Sequence, residues 1–446
     1  MATTTPGLGA LAEELRGDVV TAADPRYEEA RRVHNRAVDR RPAAIVRPRG
    51  AMDVVAVVRH ARETGGGLAV RGGAHHVAGL GTSEGGIVLD LSAMRGAWVD
   101  HDRLTVRVQG GALWGDVDAE TQAYSFATPG GTISDVGVGG FTLGGGMGWL
   151  SRRHGLAADN LVGADVVTAD GRLVTASAEA NPDLFWALRG GGGGFGVVTS
   201  FELRLYPVAR IAAGFVVHPL SAAPALLRRA RDLIAEAPDR LALTAALTAV
   251  DGQRVLALAT AWFGDPAEGE RVVAPIRRGA AVDSFAPTTY RAWQRALDSK
   301  DAPQLHVGER SEYLGGLPDE TIDALVDYVR GAPSRAARVF LIARGGAIAR
   351  VPEDATAVSD RTSPWLASAG SAWDDPVAAG PNRVWIEHLA RVVDGCRTGG
   401  TYVNMLADPA RAADAYSAAT WARLRSVKAA WDPDDLFRVD HAVAAS

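Results

Sequence analysis

Two stretches of this sequence combine residue types that could do chemistry. The first is Arg71-Gly72-Gly73-Ala74-His75-His76. Paired glycines behind an apolar run let the backbone turn sharply and aim successive N–H groups into one concavity. Such a nest takes phosphate oxygens, and the arginine adds a fixed positive charge beside it. Alone, the motif is equally a plain glycine turn. The second stretch, Gly130 to Gly146, reads GGTISDVGVGGFTLGGG. Glycine at this density forgoes side-chain packing and raises the entropy cost of ordering, so such a loop is built where a ligand must lie against the backbone. Val136, Val138, Phe141 and Leu143 are spaced as anchors, which argues against a flexible linker. A dinucleotide fingerprint needs G-x-G-x-x-G between a strand and a helix. Here Gly137-Val138-Gly139 is followed by Thr142 at the third glycine's place, and no helix is expected to open there.

Composition narrows the field. The chain has 446 residues, 47% hydrophobic and 22% charged, enough for two domains or one elaborated α/β enzyme. A formal net charge of -5 gives no footprint for nucleic acid. Cys396 is the only cysteine, so neither an intrachain disulfide nor a cysteine metal cluster can form. His75 and His76, as neighbours on a strand, would point to opposite faces, so no metal site is expected from them. His34, His60, His101 and His154 read as isolated surface or packing residues. The N-terminus reads as a short lead-in helix rather than a signal peptide, and no run of about 18 apolar residues occurs. The expectation is a soluble, cytoplasmic protein without membrane association.

The elements that must position these loops follow from periodicity. Met52 to Thr64 has helical apolar spacing and stops at Gly65-Gly66-Gly67. Strands are predicted over Leu68 to Val70, Ile87 to Leu91, Leu104 to Val108 and Val197 to Leu205. A helix is predicted from Leu113 to Ala123. Ala164 to Ser177 reads as a hairpin turning at Ala169-Asp170-Gly171. Asn181 is expected as the N-cap, and Pro182 as the first residue, of a further helix. Beyond Pro207 glycine thins out. Strand-like runs (Leu241 to Val250, Val255 to Trp262) alternate there with amphipathic helices (Ala223 to Ala235, Asp319 to Val329), a second α+β region. Arg310 to Tyr313 reads as a solvated loop, with a pocket-lining segment as the alternative, Thr401 to Leu406 as a strand and Pro409 to Ala430 as a helix.

RGGAHHVAG (71 to 79), TPGGTISDVGVGGFTLGGGMGW (128 to 149) and NPDLFWALRGGGGGFGVVTSF (181 to 201) together resemble FAD-linked oxidases of the vanillyl-alcohol oxidase/PCMH superfamily. TYVNML (401 to 406) and WDPDDLFRV (431 to 439) resemble its berberine-bridge-type branch, closest to bacterial hydroxynicotine-oxidase-like members. The resemblance implies an α+β fold: a PCMH-type two-part FAD-binding domain (39–208) after a lead-in (1–38), a substrate domain with an antiparallel sheet covered by helices (209–390), and a C-terminal segment returning to the FAD domain (391–446). It implies FAD bonded through its 8α-methyl carbon to His75. The cofactor-binding set it suggests is Arg71, Gly72, Gly73, Ala74, His75, His76, Gly79, Pro129, Gly130, Val136, Gly137, Gly139, Gly140, Gly144 and Val197. Ile133 stands where many relatives carry a second, cysteine link, so a single tether is implied. Val136 matches a position where related oxidases keep a modest side chain, leaving oxygen a route to the ring.

The departures concern the base. Related sugar oxidases resemble this chain in a Tyr-x-Asn motif followed by a tyrosine, but here the sequence runs Tyr402-Val403-Asn404-Met405, and Met405 has no proton to move. Gly194 replaces a common asparagine. Asp440, in Asp440-His441-Ala442, falls where relatives place a polar residue near the flavin. Asp440 and Tyr402 are the catalytic candidates, with Tyr313 and His306 behind them; an amine substrate would need no base. The resemblance implies an oxidase that moves hydride from a small alcohol or amine to flavin and electrons on to O2. A flavin dehydrogenase, a non-redox cyclase and a flavin-free binding protein are the alternatives. Substrate and oligomeric state are not legible.

Overall fold

The computed structural model describes residues 7–298 and 305–437. Asp440, one of the two catalytic candidates, lies outside the described residues.

The first sheet consists of β1 (Asp18–Thr21), β2 (Ala44–Arg47), β3 (Leu68–Arg71) and β4 (Ile87–Asp90), in the order β1-β2-β4-β3. The last three run parallel and β1 antiparallel. Ile45, Val46 and Ile87 to Leu89 are wholly buried, as strands covered on both faces require. The helix Ala51–Thr64 supplies one cover through Val54, Val57, Val58 and Ala61 and ends at Gly65, whose φ of 67° is the left-handed C-cap that the glycine run predicted.

The second sheet is antiparallel: β5 (Ala97–Asp100), β6 (Thr105–Gln109), β7 (Leu161–Val167), β8 (Leu173–Ser177) and β9 (Val197–Arg204), ordered β5-β6-β9-β7-β8. The β7–β8 hairpin turns at Gly171, with φ 74°. Trp114, Phe185, Trp186 and Phe201 fill its core. Pro182 opens its helix as expected, but the Asn181 side chain donates to the Thr175 carbonyl and does not cap the helix. Val167 and Val197 join the core of the first sheet, which fixes the two sheets against each other.

The third sheet is wholly antiparallel: β10 (Ile211–Pro219), β11 (Leu241–Val250), β12 (Gln253–Trp262), β13 (His306–Leu314), β14 (Arg338–Ala343) and β15 (Trp365–Trp373), ordered β10-β12-β11-β14-β15-β13. Helices Ala223–Glu236, Pro266–Arg277, Asp319–Arg330 and Ala379–Val392 cover one face, packing on Leu243, Leu256, Leu341 and Ala367. Because side chains alternate, the other face carries Ala213, Phe215, Ala242, Ala259, Phe340, Ile342, Leu366, Ser368, Glu309, Ser311 and Tyr313. This face meets Trp149 and Leu150 at one end and Met147 and Tyr402 at the other, so it looks onto the glycine-rich loop. Among the described residues no helix is long and apolar enough to cross a membrane.

Four local expectations are corrected. A short helix, Val138–Leu143, does open inside the glycine loop, behind Gly137. Thr401 to Leu406 is no strand but holds a single 3-10 turn, Val403–Met405. The helix expected over 409–430 is a 3-10 turn, Pro409–Ala415, and a separate helix, Ala418–Trp431, because the Ser417 side chain accepts from the Thr420 N–H and starts a new N-terminus. Arg310 to Tyr313 is not a solvated loop: it lies in β13, with Ser311, Glu312 and Tyr313 buried.

The C-terminal helix Ala418–Trp431 packs Leu424 and Val427 into the core of the second sheet, and Leu436 and Phe437 enter that of the first. Lys428 locks this return. Fully buried, it donates to Asp432 at 2.6 Å and to the Gly194 carbonyl at 2.9 Å. Gly194 has φ 104°, a conformation that disfavours any side chain.

Candidate active site

The two glycine loops touch backbone to backbone. A Cβ on Gly73 would stand 2.4 Å from the Gly137 nitrogen, and one on Gly137 would stand 2.3 Å from the Gly73 nitrogen. No side chain fits between them. Ala74 then takes φ 57°, an uncommon left-handed conformation outside glycine that turns the chain into His75.

His75 sits at this junction. Its Nε2 is 3.5 Å from an Asp135 carboxylate oxygen, and its ring stacks on His34 with centroids 4.7 Å apart and planes 19° apart. Burial pushes the imidazole below its ordinary pKa, against the opposing pull of Asp135. Neither His34 nor Asp135 was singled out from the sequence. His34 is no isolated packing residue, and its role was hidden because stacking partners distant in sequence leave no spacing signal. His76, on the same loop rather than on a strand, turns its Nε2 toward the Val403 carbonyl at 3.5 Å.

The other candidates take distinct places. Arg71 is buried and donates to the carbonyls of Ala30 and Gly81, so it braces the loop from behind. Gly79, at φ 67°, packs against Val38. Thr128, Pro129 and Gly130 are buried, and a Cβ on Gly130 would strike the Trp114 ring at 2.7 Å. Val136 is partly buried against the core of the second sheet, and Val197 begins β9 fully buried. A Cβ on Gly144 would stand 1.8 Å from the Asn404 side-chain oxygen, so the Tyr-x-Asn segment presses directly on the glycine loop.

Tyr402 is fixed in that contact. Its hydroxyl oxygen accepts from the N–H groups of Gly146 and Met147 and from Asn404 Nδ2, each at 3.0 Å. Asn404 also donates to the Phe141 carbonyl at 2.9 Å. Burial raises the Tyr402 pKa above its ordinary value despite these three donors. Tyr313 is buried beside it. His306 faces the opposite side of the sheet, stacked against Trp373.

The residues present fit a phosphate-bearing cofactor. A Cβ on Gly140 would meet open space, and one on Gly72 would meet only the Gly110 carbonyl, at 3.8 Å. The Thr82, Thr128 and Thr142 hydroxyls are buried without a hydrogen-bond partner among the described residues. Bare backbone and unpartnered hydroxyls in the same loops are what a dinucleotide satisfies. Residues 42–177 match the FAD binding domain family, and residues 401–444 the berberine and berberine-like family. The FAD-linked oxidoreductase YgaK of Bacillus subtilis (strain 168) is 30% identical over 442 residues, covering 96% of this chain and 97% of the relative. The chain belongs to the berberine-bridge-like FAD-linked oxidoreductases.

Two solved structures of this flavoprotein family superpose on nearly the whole chain. The 6-hydroxy-D-nicotine oxidase of Arthrobacter nicotinovorans matches with TM-score 0.88 and 26% identity, covering 97% of this chain and 98% of that one. A glucooligosaccharide oxidase of Acremonium strictum, whose FAD is 6-S-cysteinyl and 8α-N1-histidyl, matches with TM-score 0.88 and 26% identity, covering 98% and 99%. The α+β architecture, with its FAD-binding and substrate-binding parts, is therefore that of the berberine-bridge-like enzymes. No group of three or more metal-ligating side chains occurs among the described residues.

Proposed function

We propose that this FAD-linked oxidoreductase is an oxidase whose flavin is bonded once, through its 8α-methyl carbon, to His75. It removes hydride from a C–H next to oxygen or nitrogen on a small substrate, and O2 is the final acceptor, giving H2O2. The observation that carries the reading is His75 itself, an imidazole placed where the two glycine loops meet. The bound flavin supplies a two-electron acceptor.

Gly72, Gly73, Ala74, Gly137, Gly139 and Gly140 hold the dinucleotide through the backbone, and His75 pins its reactive end. Cys396 packs against Thr321 and Val393, and Ile133 has no thiol, which supports a single tether without a second, cysteine link. Tyr402 acts as a positioning residue: its hydroxyl holds the Gly146–Met147 turn, and its raised pKa disfavours the phenolate a base requires. The similarity to two enzymes named as oxidases supports oxygen over another acceptor. Anaerobic reduction of the flavin followed by mixing with air tests this. The reading expects prompt return of the oxidised spectrum with one H2O2 per flavin; slow reoxidation would make the protein a dehydrogenase.

A further inference from the structure

The FAD-binding and substrate-binding parts also meet beside the glycine loop, where the helix Tyr290–Gln294 packs on the helix Trp114–Gln122. Hydrogen bonds cross between the two parts here at two points. Ser134, in the glycine loop, donates to Asp298 through its backbone N–H at 2.9 Å and its hydroxyl at 2.6 Å. Gln294 donates from Nε2 to Asp118 at 3.2 Å. Asp118 and Gln294 are both buried, yet their exchange is half made: the Gln294 side-chain oxygen has no donor among the described residues. A carboxylate beside it has no proton to offer, whereas a carboxylic acid has one. A cavity of about 150 Å³ opens at this point, lined by Asp118, Ser134, Asp135, Arg291, Arg295 and Asp298. Asp135 is the carboxylate that reaches His75.

We infer that Asp118 and Gln294 form a proton-dependent latch between the two parts, closed while Asp118 donates its proton to the Gln294 oxygen and released as that proton leaves. Closed, the carboxyl and the amide exchange two hydrogen bonds, and no buried polar atom of the pair is left over. Released, the helix Tyr290–Gln294 loosens and, through Asp298, so does the Ser134–Asp135 turn that reaches His75. The cavity gives water its way in. The charged and titratable groups around Asp118 do not replace the proton. The Tyr290 hydroxyl is buried and held well above its ordinary pKa. Arg291 favours the carboxylate and Asp298 opposes it, and no cation pairs with Asp118 among the described residues. Arg295 lies nearer Asp298, Asp135 faces His75, and Asp116 on the same helix is taken by Arg95. Burial pushes closed Asp118 up from 3.8 to about 7, while water returns the released carboxyl to its ordinary value. Release therefore gains as pH climbs from the ordinary value through the raised one, and it levels off above.

The latch depends neither on the bond to flavin nor on the electron acceptor. Hydrogen–deuterium exchange of the purified holoenzyme, read peptide by peptide, tests it in wild type and Asp118→Asn at pH 5 and pH 8. The amide of Asp118→Asn donates to the Gln294 oxygen at either pH, so the variant stays latched. Dividing wild-type by variant rates at each pH cancels the pH dependence of exchange itself. In peptides spanning 114–122 and 289–298 the ratio should rise about tenfold or more from pH 5 to pH 8. Strands β10 to β12 should remain unexchanged in both proteins over the same time, because local release precedes global unfolding. Within wild type alone, the two segments should likewise gain on those strands over the interval, a comparison that needs no variant. A ratio that stays constant between the two pH values overturns the proposal. So does a rise in which the two segments exchange only together with β10 to β12, since Asp118 would then report global unfolding.

Discussion

Gly73 and Gly137 occupy each other's side-chain space: a Cβ on either would stand within 2.4 Å of the other's backbone nitrogen. The contact joins the loop that carries His75 to the loop that carries the helix Val138–Leu143. Backbone cannot swing aside as a flexible side chain can. Gly137→Val should therefore part the loops and cut the flavin absorbance per protein by roughly half or more, with circular dichroism little changed. A Gly137→Val protein loaded to wild-type level would show that the contact is not needed to hold the cofactor.

Tyr402→Phe removes the oxygen that accepts from Gly146, Met147 and Asn404. Two backbone donors then lose their partner inside the protein, at a cost of about 2 kcal/mol. The expected outcome is a lower thermal midpoint and weaker flavin retention, with a smaller effect on the rate of flavin reduction in the fraction that stays loaded. Unchanged stability with abolished flavin reduction would instead place Tyr402 in the chemistry.

Asp118 is buried behind the Gly130 loop, with Gln294 donating to it at 3.2 Å, and burial pushes its pKa up from 3.8 to about 7. A carboxyl raised in the folded state keeps a proton the unfolded chain has released. Stability is therefore lost as pH climbs from the unfolded value through the folded one, and the loss levels off above it. Asp118→Asn preserves the shape without the charge. It should stabilise the protein by about 2–4 kcal/mol at pH 8 and by little at pH 4, measured as denaturation midpoints at the two pH values. Equal effects at both would mean that Asp118 titrates normally.

Strands β3, β4, β6 and β9, the β7–β8 hairpin and both glycine loops were legible because local signals agree there, whereas the short strands β1, β2 and β5 gave no such signal. The helix from Ala51 stops at a glycine, the Gly171 hairpin turns where expected, and Pro182 opens its helix. The helix at Val138 was hidden by its own glycines, Gly139 and Gly140, which have low helical propensity. Thr401 to Leu406 has a strand's composition, but no edge pairs with it; its Tyr402 and Asn404 side chains are taken up by the glycine loop instead. Arg310 to Tyr313 lies in a strand, and the alternation Val307, Glu309, Ser311, Tyr313 is the period-2 signal that marks one of its faces. His34 and Asp135 reach His75 through tertiary packing alone, which a single sequence does not encode in any spacing.

The central claim is that His75 is bonded to the flavin, and precipitation of the purified protein with acid tests it most directly. The yellow colour should stay with the washed, denatured pellet of the wild type and pass into the supernatant for His75→Ala. Colour that leaves the wild-type pellet would contradict the tether.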